Sequence, residues 1–293
     1  MTAAENFVKM EMQGDGIQGI PGGITQAIKI AKYEMLNYIR SRRFYVLLLI
    51  DLIIGGLLTV IVGYYRPSSV LASTLSFYST WWGSIAGFIV VLSCIFFGGD
   101  AISGEFQNRT GYFLIGNPIR RSSVYTGKFI GALLSALVVV FLYFFIALAN
   151  GIYYFGASVP SQLIESLLFS LVYLLSVMGF TFFFSSLFRS SVTSVILTAI
   201  LFLFVFSTVQ TFLSLFVGIE PWFLISYGAG IISAVFTVPY PTHSSKSVSR
   251  FGLHLSSVTT YTPTIVEGLL IMVAYFIISV LLGLLLFERS EFR

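Results

Sequence analysis

Long apolar runs alternate with short polar breaks from Phe44 to Phe287. A helix needs about 20 mostly apolar residues to cross a bilayer. Six runs reach that length, alone or with a few flanking residues: Phe44–Tyr65, Phe77–Gly99, Phe129–Phe155, Leu163–Phe188, Val192–Val217 and Pro263–Phe287. The pattern therefore predicts an all-α integral membrane protein with six transmembrane helices. Ahead of them, Ile24, Ala27, Ile28, Ala31, Met35, Tyr38 and Ile39 recur at helical spacing, with Gln26, Lys29, Tyr33, Asn37 and Arg40 opposite. The stretch 24–43 closes on Arg40, Arg42 and Arg43 and reads as an amphipathic helix lying in the membrane interface. Residues 1–23 are polar and glycine-rich, without the basic start and apolar centre of a signal peptide. They read as a flexible cytoplasmic tail. The remainder, 44–293, is one transmembrane domain.

Trp222–Val238 is apolar but short, holds Gly228 and Gly230, and is bounded by Pro221 and Pro239. It reads as short outer helices dipping into the interface, inside an outer loop over 218–262. A seventh crossing stays open by charge alone. Only Arg66, Lys246 and Arg250 fall outside in the six-span arrangement, and the other bases fall inside. That bias places both termini in the cytoplasm and the chain as a multi-pass protein of the cell membrane. A seventh crossing would only exchange Lys246 and Arg250 for Arg289 and Arg293, leaving the bias unchanged.

Composition agrees with the pattern. Hydrophobic residues make up 57% and charged residues 10% of the chain, whereas soluble domains carry about 25% charged residues. Cys94 is the single cysteine, so no intrachain disulfide forms.

The segment 100–128 is the most charged interruption between two spans, with Asp100, Glu105, Arg109, Arg120, Arg121 and Lys128. Gly104 and Gly111 permit tight bends. Phe106, Tyr112, Phe113, Leu114 and Ile115 set an apolar patch among the charges, which suits a short helix on a membrane surface or against a partner. Asn117-Pro118 is a good opening for the next helix. The plainer alternative is a solvated loop of positive-inside anchors.

The order Ile102, Glu105, Arg109, Thr110, Gly111, Tyr112, Leu114, Pro118, Ile119, Arg121, Gly127, Lys128 resembles the cytoplasmic loop of type-2 ATP-binding-cassette (ABC) transporter permeases. The interfacial helix before the first span, an elbow helix in that family, and the short helices between the fifth and sixth spans resemble the family too. The resemblance implies a permease subunit of an exporter whose loop seats in a cytoplasmic ATPase. Glu105, Arg109, Thr110, Gly111, Tyr112, Pro118, Arg120, Arg121 and Lys128 would then carry ATPase movement into the second and third spans. Expected partners are cytoplasmic ABC ATPase subunits, a second permease subunit, identical or not, and membrane lipid, with no nucleic acid. ATP and Mg would belong to the partner ATPase, leaving this chain without a cofactor or an ATP site.

The residues themselves exclude several chemistries. No G-x-x-x-x-G-K-[ST] motif occurs, and Gly127-Lys128 lacks the upstream glycine. The two histidines, His243 and His254, lie in the outer loop without cysteine partners, so neither a metal site nor a serine-hydrolase triad is expected. The sequon Asn108-Arg109-Thr110 falls on the predicted cytoplasmic side. Polar residues within spans are candidates for a substrate pathway: Asp51, Asn150 and Gln210. Two rivals remain. A gradient-driven secondary transporter or channel would show repeats, broken helices or several buried charges. A lipid-acting enzyme would show clustered His, Asp or Glu.

Overall fold

The structure, a computed structural model, describes residues 22–108, 120–241 and 261–289. Among the described residues the chain is helical and has no strand. Helix α1 is Gly23–Arg40 and α2 is Arg42–Tyr65. The second span, α3, covers Thr74–Gln107 in pieces: Thr74–Tyr78, a π turn at Ser79–Gly83, Ala86–Gly98 and Ser103–Gln107. Helices α4 (Arg121–Phe155), α5 (Ser161–Leu187) and α6 (Ser191–Phe212) follow. The short α7 is Ile225–Ala234, and α8 is Ile265–Arg289. Helices α2, α3, α4, α5, α6 and α8 are each long and apolar enough to cross a membrane. At about 1.5 Å per residue α7 is about 15 Å long, half a bilayer core, so Trp222–Val238 does not cross.

Helices α3, α4 and α5 form the centre, with Val90, Cys94, Phe97, Ala132, Val140, Leu174, Val177 and Phe182 fully buried among them. Helix α8 packs along α5, and α2 along α4. Small residues set the crossings. A side-chain Cβ at Gly98 would come within 2.3 Å of Thr181 Oγ1 on α5, so only glycine lets α3 and α5 approach so closely. Gly55 of α2 leaves the same kind of room for Ile146 of α4, and the hydroxyl of Thr59 donates to Asn150 Oδ1 at 3.1 Å one turn further. That register makes α2 and α4 run parallel. Since α4 has 35 residues and α2 has 24, α4 starts about three turns before α2 and projects past it.

Helix α1 fills the space beside that projection. Its Ala27 and Ala31 are buried, and Gly127 and Gly131 of α4 face them. A Cβ at Gly127 would meet Ile30 Cβ at 2.7 Å and the Ala27 carbonyl at 2.8 Å. This is small-xxx-small packing, which brings two helix backbones together. The buried face is turned from the expected one. Ile24 and Ile28 are exposed, while Gln26, expected on the polar side, is buried and its Oε1 accepts from the Arg120 amide at 3.3 Å. The rotation has a simple cause: the glycines admit alanine and the flank of Ile30, and a full isoleucine at the contact would not fit.

Tyr78, Trp81 and Trp82 stand near the start of the second span. Aromatics opening a span suggest an interface belt, yet all three are buried inside the bundle. A π turn over Ser79–Gly83 carries both tryptophans. Within that turn the Trp81 carbonyl accepts from the Tyr143 hydroxyl at 2.7 Å. Trp82 Nε1 donates to Ser166 Oγ at 3.0 Å, and that hydroxyl donates to the Ile232 carbonyl at 2.6 Å. One serine on α5 thereby holds α3 and α7 together.

Candidate functional site: the charged end of the bundle

Six crossings bring the start of α2, the end of α3, the starts of α4 and α6 and the ends of α5 and α8 to one end of the bundle. Arg40, Arg42, Arg43, Asp100, Glu105, Arg120, Arg121, Lys128, Arg189, Glu288 and Arg289 all belong to this charged end. The exit of α3, residues 98–107, lies at its centre.

Each part of that exit is tied to a different helix. The amides of Ile102 and Ser103 donate to Ser185 Oγ of α5 at 2.9 and 3.0 Å, so one hydroxyl satisfies two amides at the start of the Ser103–Gln107 turn. Gln107 Oε1 accepts from the Ser191 amide at 2.8 Å, capping the first turn of α6. The Phe106 ring stands edge-on to Phe287 of α8, with centroids 6.3 Å apart. Asp100 pairs with Arg43 of α2 at 2.5 Å. Glu105 pairs with Lys128 of α4 at 2.8 Å. Tyr38 of α1 donates to the Phe97 carbonyl at 2.9 Å. Burial, and then the Glu34 carboxylate, push the Tyr38 phenol well above its ordinary pKa, so it stays a neutral donor.

Lys128 is the most enclosed charge here. Its side chain is 9% exposed and its ammonium sits between Glu105 and Glu34 of α1, the latter at 2.5 Å. An isolated ammonium at that depth would be unstable, and two carboxylates compensate its lost hydration. The Arg43–Asp100 pair is different in kind: the Arg43 side chain is 52% exposed, so water screens it and it contributes little.

The structure thus brings Glu105 and Lys128 together and turns Lys128 inward. Arg120 and Arg121 are exposed at the start of α4, with Arg121 Nη1 donating to the Glu288 carbonyl at 2.9 Å. Arg109, Thr110, Gly111, Tyr112 and Pro118 lie outside the described residues, as do residues 1–21 of the tail and 242–260 of the outer loop, with His243 and His254. Glu34, Arg43 and Ser185 are participants that sequence reasoning missed. Glu34 carried a signal: an acid one turn from Ala31 and beside Met35, on the edge of the apolar stripe.

The three pathway candidates do not form one site. Asp51, Gly55 and Thr59 line one face of α2, and Asn150 meets them through Thr59. Asp51 is buried, with no partner for its Oδ2 among the described residues. Gln210 lies elsewhere, its Oε1 accepting from the Ser226 hydroxyl at 2.8 Å. Among the described residues no group of His, Cys, Asp and Glu could hold a metal ion.

No curated protein matches this sequence. The family described as ABC-2 family transporter protein matches residues 28–292, from the first helix to the end of the sixth span, and the chain belongs to that family of ABC transporter permeases.

Proposed function

We propose that the chain is the transmembrane subunit of an ATP-driven exporter in the cell membrane, with its charged end and both termini in the cytoplasm. A separate ATPase, carrying ATP and Mg, docks on the segment between α3 and α4, and a second permease subunit, identical or not, completes the pathway. Glu105, Arg109, Thr110, Gly111, Tyr112, Pro118, Arg120 and Arg121 form the contact and the lever, while Lys128 ties the lever to the bundle. The elbow helix α1 moves with it.

The observation that carries this reading is the anchoring of residues 98–107. Asp100, Ser103, Glu105, Phe106 and Gln107 reach α2, α5, α4, α8 and α6 respectively. A push on this short stretch is therefore a push on every span. Packed interfaces of this kind switch between discrete arrangements and do not yield continuously. Asp51 and Asn150 at the α2–α4 contact and Gln210 beside α7 are the polar positions the cargo would pass.

The test is a pull-down of the tagged chain from gently solubilised membranes, followed by an ATPase assay. The expected result is a co-purifying cytoplasmic ATPase that is lost when residues 111–121 are replaced by a Gly-Ser linker. A chain that purifies alone, and moves solute on an ion gradient, overturns the reading in favour of a secondary transporter.

A further inference from the structure

At the end of the bundle opposite the charges lies a cavity of about 440 Å³, within the range of small-molecule sites. Ser79, Gln210, Tyr227, Ser233, Thr237 and Thr262 supply its hydrogen-bonding wall. No Asp, Glu, Lys or Arg lines it among the described residues. The Tyr227 hydroxyl donates to Glu220, which stands behind the wall and is not part of the lining.

Two features make this a built site. First, both long helices beside it are widened there. Ser79 opens the π turn of α3, and Gln210 lies between the π turns Leu201–Val205 and Leu213–Val217 that interrupt and extend α6. Such insertions cost helix regularity and recur at functional sites. Second, the third wall is fixed from behind. A Cβ at Gly268 of α8 would meet the Gly228 carbonyl at 2.9 Å and Ile231 at 2.7 Å, so α7 is pressed against α8. The Trp82–Ser166–Ile232 chain holds α7 on its other side. A Cβ at Gly83 would meet Phe236 at 3.2 Å and the Ser233 Cα at 3.3 Å, which seats the end of α7 on the π turn. The polar wall is held open by packing that does not involve the lining hydroxyls.

We infer that this cavity is a binding site for an uncharged, multiply hydroxylated or amide-bearing group, held by Gln210 and the surrounding hydroxyls. Among the described residues the lining itself offers hydrogen bonds from hydroxyls and one amide and no counter-ion, which suits an uncharged polar group. The group is either the head of a membrane amphiphile or a free solute, because the cavity lies at the end of the spans.

The experiment uses the full chain in nanodiscs with radiolabelled mono-oleoylglycerol as probe, beside oleate and oleylamine, with free glycerol as competitor. Saturable binding of mono-oleoylglycerol over both charged amphiphiles is expected. Gln210→Leu should weaken it by ~10-fold, the equivalent of one unmade hydrogen bond. Ser233→Phe and, independently, Thr237→Phe should abolish it by filling the cavity, with the unfolding temperature of each compared with wild type. Competition by glycerol assigns the site to a free solute, and its failure assigns it to a lipid head. Preference for oleylamine or oleate overturns the inference, as does unchanged binding in the folded filling variants. None of these outcomes depends on an ATPase, so the exporter reading stands or falls separately.

Discussion

Glu34 of α1 and Glu105 of α3 grip the same ammonium, Lys128 Nζ of α4, at 2.5 and 2.8 Å. Three helices from separate parts of the chain meet at one enclosed charge. Removing the cation leaves two partly buried carboxylates facing each other. Lys128→Met should therefore destabilise the purified chain by about 3 kcal/mol or more. The triple variant Lys128→Met, Glu34→Gln, Glu105→Gln should recover most of that loss. Chemical denaturation followed by tryptophan fluorescence reads both. A Lys128→Met chain as stable as wild type would show the clamp to be energetically idle.

Gly127, the residue before the clamp, is predicted to be sensitive too. Its missing Cβ would lie 2.8 Å from the Ala27 carbonyl, a backbone atom that cannot swing away. Gly127→Leu should detach α1 from α4 without disturbing the spans. The expected signature is new protease cleavage within 23–40 and a loss of about 1–3 kcal/mol, the usual cost of overpacking. Gly56, with open space around its Cβ position, provides the control: Gly56→Ala should be silent or slightly stabilising.

The Arg43–Asp100 pair should behave as a surface contact. Arg43→Ala is expected to cost under about 1 kcal/mol, and raising the salt should shrink even that. If the loss instead matches that of Lys128→Met, the pair is buried in the working assembly and a partner covers it.

Ser166 is the least conspicuous residue with a large predicted effect. Ser166→Ala strands the Trp82 indole N–H and the Ile232 carbonyl together in the core. A buried polar group left unmade costs about 1–3 kcal/mol. The tryptophan emission should shift as Trp82 relaxes, and α7 should exchange amide hydrogens faster. Ser166→Thr, which keeps the hydroxyl, should restore part of both.

Much of this architecture was legible in the hydropathy alone. The six spans, the amphipathic helix before them and the shortness of Trp222–Val238 follow from run length and helical period. What escaped was set by long-range partners. Trp81 and Trp82 carry the composition of an interface belt, and the partners that meet them inside, Tyr143 at the Trp81 carbonyl and Ser166 at the Trp82 indole, lie far along the chain. Gln26 looked solvated because its partner, the Arg120 amide, lies far along the chain. Glu34 at the edge of the apolar stripe hinted at a buried partner, but only the fold shows that the partner is Lys128. At the site, Glu105 and Lys128 were recognised from a motif, as residues that carry ATPase movement into the spans. What the motif does not announce is that the two pair with each other and that Glu34 joins them.

The central claim is that the charged end receives a cytoplasmic ATPase. The most direct measurement is photo-crosslinking in intact cells, with a photoreactive residue placed at Arg120 or Arg121 of the charged end and, as control, at the exposed Trp222 of the far end. The account predicts adducts with an ATPase subunit from Arg120 and Arg121 and none from Trp222. Adducts from Trp222 alone, or no ATPase adduct from either end, would contradict it.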